Sequence, residues 1–315
     1  MDDRTWIQAT VMDALKALPK INSLRIWIDH CRLQVPFHFI SGLKEISIDG
    51  TNREYYTGTM ENLAKMVAHS PQLNSIKMKS VHMFRIPFGK TQSLHQLFQY
   101  YPQDAAPLRL HRLVLDTCLL RLDAITLPHL KYLTSLSLTN IKDTSDPKPT
   151  YVSDAVNYDS EEIKNEQKRW GTGLEEVWVA LTKADVNLEE ITIDVVVPAF
   201  IAYLASYSGL RILNLAGGAS NQEDSDCFAT QFYAKPLANH VQSLRKLNIH
   251  ATYEGLWCVG EHNLSLISRC LNLKDLGVTI ISSQVDLDPV VGSPSCSTGL
   301  DVIVSCYYLR LELGG

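Results

Sequence analysis

Four residues near the end of the chain have the types that metals and proton transfers use: His250, Glu254, Glu261 and His262. Imidazole and carboxylate together could hold zinc or form an acid–base pair. The spacing argues against both uses. Neither H-x-x-x-H nor H-E-x-x-H occurs, so no helix face presents two imidazoles to one ion. These residues read as polar turn positions, with His250 closing a strand and His262 opening a helix. Phe88-Gly89-Lys90-Thr91 resembles the end of a phosphate-binding loop, but Phe84 stands where that loop needs glycine. A side chain there keeps the backbone from wrapping a phosphate. No G-x-S-x-G and no glycine-rich dinucleotide loop is present. Asn263-Leu264-Ser265 matches a glycosylation acceptor, but a cytosolic helix makes the match fortuitous. No catalytic residue, metal or cofactor is expected, and the chain reads as a non-enzyme.

The remaining chemistry is that of a binding surface, and its placement depends on the strands. The stretch Leu133-Thr-Ser-Leu136-Ser-Leu138 puts two leucines on one face of a strand and a third where the chain enters it. L-x-x-L-x-L is the strand half of a leucine-rich repeat. With Ile, Met or Val allowed it recurs as Ile21/Leu24/Ile26, Leu43/Ile46/Ile48, Leu73/Ile76/Met78, Leu110/Leu113/Leu115 and Leu133/Leu136/Leu138. It continues as Leu188/Ile191/Ile193, Leu210/Leu213/Leu215, Leu244/Leu247/Ile249 and Leu273/Leu276/Val278. Most copies begin 22 to 37 residues after the last, with one step of 55.

Helical patterns fill the intervals. They cover Thr59 to His69, Gln92 to Tyr101, Pro198 to Tyr207, Asp226 to Val241 and Glu261 to Cys270. Ser70-Pro71 stops the first, and Pro236 should kink or divide the fourth. Gly209, Gly217 and Gly218 suit turns that need positive φ. Strand, turn and helix in alternation require parallel strands, because a helix crosses back each time. The expected fold is α/β: a leucine-rich-repeat solenoid, a right-handed strand–helix horseshoe with a parallel concave sheet, over 1–315 as a single domain. A polar insertion is expected at 142–173, a helix over Leu174 to Leu181, a loop at 281–298, and a final strand at Leu309 to Leu313. Arg4 to Leu18 reads as one helix leading into the first strand; either it covers that end, or the chain is a piece of a longer protein.

Alternation along each strand sends the residues between the apolar pair to the concave side. The candidates there are Arg25, Trp27, Lys77, Lys79, Arg112, Asp116, Glu190, Asp194, Lys246 and His250. Tyr253 and Trp257, just past the eighth strand, read either as an aromatic binding patch or as packing under the turn. Both charge signs are mixed with small polar residues, which suits a protein or peptide partner and not a phosphate backbone. The net charge of −5 also argues against nucleic acid and anionic lipid. Seven scattered cysteines, without any C-x-x-C pair, read as reduced intracellular thiols, and the longest apolar run contains Pro198 and is too short to span a bilayer. A cytoplasmic or nuclear location is expected, without membrane contact.

With the array laid out, the chain resembles the irregular leucine-rich-repeat proteins of mushroom-forming fungi, many of them described as F-box proteins. The resemblance is strongest through Leu213-Asn-Leu-Ala-Gly-Gly218, His240-Val-Gln-Ser-Leu-Arg-Lys-Leu-Asn-Ile249, Tyr253-Glu-Gly-Leu-Trp257 and Gly260-Glu-His-Asn263. It implies a substrate-binding arm that an F-box docks to a ubiquitin ligase through an adaptor protein. Met1 to Pro19 is too short for an F-box, so that link would need an F-box elsewhere. A scaffold or inhibitor without that link is the other expectation.

Overall fold

A computed structural model describes residues 9–10, 13–14, 17, 21–27, 37, 40–50, 56–79, 93–118, 120–141, 173–216, 222–251, 253–281 and 306–312. They fall into two compact units, Met1–Leu188 and Glu189–Gly315. The expectations for Phe88–Thr91, for Gly217 and Gly218, for 142–172, for 282–298 and for most of 4–18 lie outside the described residues.

In the first unit, β1 (Ser23–Trp27), β2 (Glu45–Asp49), β3 (Ser75–Lys79), β4 (Arg112–Asp116) and β5 (Ser135–Thr139) pair in chain order, all parallel. The expected strand triples are therefore in phase. Ile46, Ile76, Leu113 and Leu136 form one row across the ladder, and Ile48, Met78, Leu115 and Leu138 the next. All eight side chains are buried. Each is worth roughly 1.5–3 kcal/mol when fully removed from water. The crossovers that parallel pairing demands are α1 (Tyr56–Ala68), α2 (Leu94–Phe98) and a 3-10 turn at Leu127–Leu130. α1 buries Met60, Leu63, Ala64 and Val67, the helical stripe of its sequence, and ends at Ser70-Pro71. α3 (Leu174–Lys183) closes the unit with Leu174, Val177, Trp178 and Leu181 inward.

The second unit repeats the scheme with β6 (Glu190–Ile193), β7 (Ile212–Ala216), β8 (Lys246–His250) and β9 (Asp275–Ile281), again parallel and in chain order. Its helices are α4 (Pro198–Ala205), α5 (Gln222–Ala234), α6 (Pro236–His240) and α7 (Glu261–Ile267). Pro236 divides α5 from α6: it has no N–H for the ladder, and its ring suits the first turn of a new helix. Gly209 has φ +110°, the turn conformation expected of it. The last strand, β10 (Cys306–Glu312), breaks the parallel rule. It runs antiparallel to β9, with Cys306 opposite Ile281 and Glu312 opposite Asp275. Antiparallel pairing needs no helical crossover, so the chain can leave the repeat here.

One backbone device recurs at every described step. The carbonyl of the residue after each entry leucine accepts two amides from the next copy. Lys44 O takes Asn74 N–H at 2.9 Å and Ser75 N–H at 3.1 Å; Asn74 O takes His111 and Arg112; His111 O takes Thr134 and Ser135. In the second unit Glu189 O, Arg211 O and Arg245 O do the same. This shared acceptor locks successive hexapeptides in phase, because a one-residue slip would turn every strand inside out.

Two histidines also recur. His129 and His240 each sit six residues before a strand, in β5 and β8, and both are buried. Leu108 N–H donates to His129 Nδ1 at 2.9 Å, and Leu210 N–H to His240 Nδ1 at 3.3 Å. Each imidazole thus satisfies a backbone amide of the preceding turn. Burial drives the His129 pKa down to about 4. Burial also lowers that of His240, against the opposing effect of the Leu204 carbonyl. Both rings are neutral at pH 7.

Candidate functional site

Strand alternation turns every second residue of each unit's strands outward. In the first unit Ser23, Arg25, Trp27, Glu45, Lys77, Lys79 and Arg112 are exposed; Lys77 lies between the buried Ile76 and Met78, whereas on β1 the inward Leu24 and Ile26 are only half-buried. Trp27 is 63% exposed, unusual for so large an apolar side chain. Arg25 fixes its surroundings. Its Nε donates to Asp49 Oδ2 at 2.7 Å, and its guanidinium lies over the Trp27 ring at 5.8 Å. Strand alternation puts Asp49 on the same face as Trp27, but it is only 5% exposed. The Arg25 guanidinium is its ion partner, which a buried carboxylate needs.

Along the same register row, Trp27, Asp49, Lys79, Asp116 and Thr139 lie side by side on the five strands. Lys79 Nζ meets Asp116 Oδ2 at 3.4 Å. Asn140 Nδ2 and Thr117 Oγ1 both donate to Asp116 Oδ1, at 2.9 and 3.0 Å. Partial burial works to raise the Asp116 pKa, but these donors and Lys79 outweigh it and hold the carboxyl below its ordinary range. The donors come from the turns just past β4 and β5, where Thr117 and Asn140 take φ of +58° and +50°. Lys77 and Arg112 point outward from adjacent strands. All six candidates assigned to this unit are thus brought to one strand face.

In the second unit the outward face is quieter. Lys246 and Asp275, in the row that begins with Glu190, form an ion pair at 2.8 Å. The next row is Thr192, Asn214, Asn248 and Gly277, and Asn214 Nδ2 donates to Thr192 Oγ1 at 3.0 Å. Strand alternation places this amide–hydroxyl row on the outward face, but nothing in the sequence marks the pairing of Asn214 with Thr192. His250 is exposed at the end of β8, and Asp194 is half-buried just past β6. Tyr253 is half-buried. Trp257 is only 3% exposed and packs against Phe232 at 5.3 Å and Tyr233 at 6.2 Å between ring centres. The packing alternative for Trp257 is the one the structure has, so it offers no side-chain surface to a partner.

The histidine–carboxylate group near the end of the chain forms no metal cluster among the described residues. His262 opens α7, and its Nε2 donates to Leu256 O at 3.0 Å. Among the described residues no helix is long and apolar enough to cross a membrane.

No family model matches the chain. Neither a curated protein nor a solved structure matches it.

Proposed function

We propose that this chain is a leucine-rich-repeat array that binds a protein or peptide partner on the outward face of its parallel strands, without catalysis of its own, in the cytoplasm or nucleus. The observation that carries the reading is Trp27 with Arg25. Tryptophan and arginine are the residue types that most often dominate interface energetics. Here the arginine is already oriented by Asp49, so little side-chain freedom remains to be lost on binding. Lys77, Lys79 and Arg112 extend the face with long side chains that can reach acceptors on a partner.

The test is photocrosslinking from position 27 in cells of origin, followed by purification of the captured protein and a direct binding measurement. Trp27→Ala should weaken that binding by about thirtyfold, the scale of an interface anchor. Equal affinity of wild type and Trp27→Ala for every captured protein would sink the proposal. If a ubiquitin-ligase adaptor co-purifies with the chain, the partner is a substrate; without it, the chain is a scaffold or inhibitor.

A further inference from the structure

We propose that a cleft in the first unit, walled by Tyr101, Pro102, Pro107, Ile125 and Pro128 and reaching His129, binds a small uncharged molecule by a hydrogen bond from His129 Nε2. None of its lining residues lies on a strand, so this site is independent of the strand face proposed above. The cleft encloses about 370 Å³. That is at the small end of ligand clefts, which run from roughly 300 to 1,000 Å³. It holds a compact molecule more readily than a length of polypeptide.

The inference rests on the unused half of His129. The side chain is 3% exposed. Leu108 N–H donates to Nδ1, so the neutral ring carries its proton on Nε2. The ring is clamped between Phe98, stacked at 4.4 Å, and Tyr101, edge-on at 4.6 Å. Turning it over would sacrifice the hydrogen bond from Leu108. Among the described residues nothing accepts the Nε2 proton, and His129 lines the cleft. A donor that is nearly buried, unspent and still reachable from a cleft is a site for an acceptor atom.

The walls are pre-formed. Asp123 Oδ1 accepts the amides of Ile125 and Thr126 at 3.1 and 3.0 Å, fixing one side. Tyr101 O–H donates to Ala106 O at 2.8 Å, fixing the other. No lysine, arginine, aspartate or glutamate lines the cleft. A charged ligand would lose hydration there without gaining a counter-ion. Proline rings, alanines and Ile125 match an apolar body, and Gln103 is the other uncharged polar side chain on the wall besides Tyr101 and His129. The fitting class is therefore a neutral, mostly apolar compound with one carbonyl-type acceptor.

Three phenyl probes of one size test this on the full chain at pH 7.5: acetophenone, ethylbenzene and benzoate. Binding is followed by NMR through the Leu108 amide and the His129 imidazole. Acetophenone should give saturable shifts at both. Ethylbenzene, without the acceptor, should bind about fivefold more weakly, the usual worth of one hydrogen bond. Benzoate should bind about tenfold more weakly or not at all. Ala105→Trp, an exposed wall position that leaves His129 and Leu108 in place, should abolish the acetophenone shifts. The proposal is overturned if acetophenone leaves both groups unmoved at its solubility limit. It is equally overturned if ethylbenzene or benzoate binds as well, or if Ala105→Trp changes nothing. Retained photocrosslinking at position 27 in Ala105→Trp would show that the strand-face reading stands or falls separately.

Discussion

The outward face of β1–β5 carries long charged side chains and an exposed tryptophan, whereas that of β6–β9 carries short amides and hydroxyls around one compact ion pair. Their interiors are nearly interchangeable. Leu113 and Leu136 in the first unit have the same burial and the same register role as Leu213 and Leu247 in the second. Both units also use the same doubly accepting carbonyl at the strand entry. The difference teaches that the hexapeptide frame constrains only its apolar teeth. The positions between them are free to vary, and the two faces have become chemically distinct on one backbone plan.

The largest expected effects test the sameness of the interiors. Leu136→Ala and Leu213→Ala should each destabilise by roughly 2–5 kcal/mol, because neither closed ladder can collapse around the void. Denaturant titration of both variants checks it. A loss under about 0.5 kcal/mol in either, the range of an unremarkable surface change, would break the equivalence.

Acid should come next. The folded pKa of His129 is about 4, below the unfolded value of 6.5, so the unfolded chain binds more protons between those values. Its contribution is complete above pH 6.5 and is lost as pH falls toward 4, on the order of 3 kcal/mol in all. His240 should act in the same direction, since burial also depresses its pKa. Comparing stability at pH 7.5 and 4.5 for wild type and His129→Phe checks this. An identical pH dependence in the two proteins would show that the buried imidazole plays no part.

The smallest effects concern the faces themselves. Arg25→Ala leaves the nearly buried Asp49 without its ion partner, yet Arg25 is well exposed and water screens the pair. A loss of about 1 kcal/mol is expected, against about 0.5 kcal/mol or less for Lys246→Ala beside Asp275. Thermal denaturation at low and high salt separates them. Trp27→Ala should leave the melting temperature alone while weakening partner binding about thirtyfold, which separates a face that binds from a core that folds.

Much of this was legible in the residues. The in-phase triples, the helix stop at Ser70-Pro71 and the break at Pro236 all follow from local chemistry. Period-two alternation and proline's missing N–H act within a few residues. Other features depend on distant partners. Asp49 alternates outward, yet it is buried and paired with Arg25 from the neighbouring strand. Trp257 follows a strand as a binding aromatic would, but Phe232 and Tyr233 from α5 enclose it. His129 and His240 show no spacing that marks a buried amide acceptor, because the amides they meet lie 21 and 30 residues away.

The sequence by itself determined which side chains face inward, since an apolar residue at every second position can be buried on only one side of a strand. It also determined that strands and helices alternate, because parallel neighbours require a crossover. Tertiary structure alone decided which outward groups stay open to water, which are buried and paired with a neighbour, and where a histidine keeps a proton to give. Those outcomes turn on distances of a few ångströms between residues far apart in the chain, and no local periodicity encodes such distances.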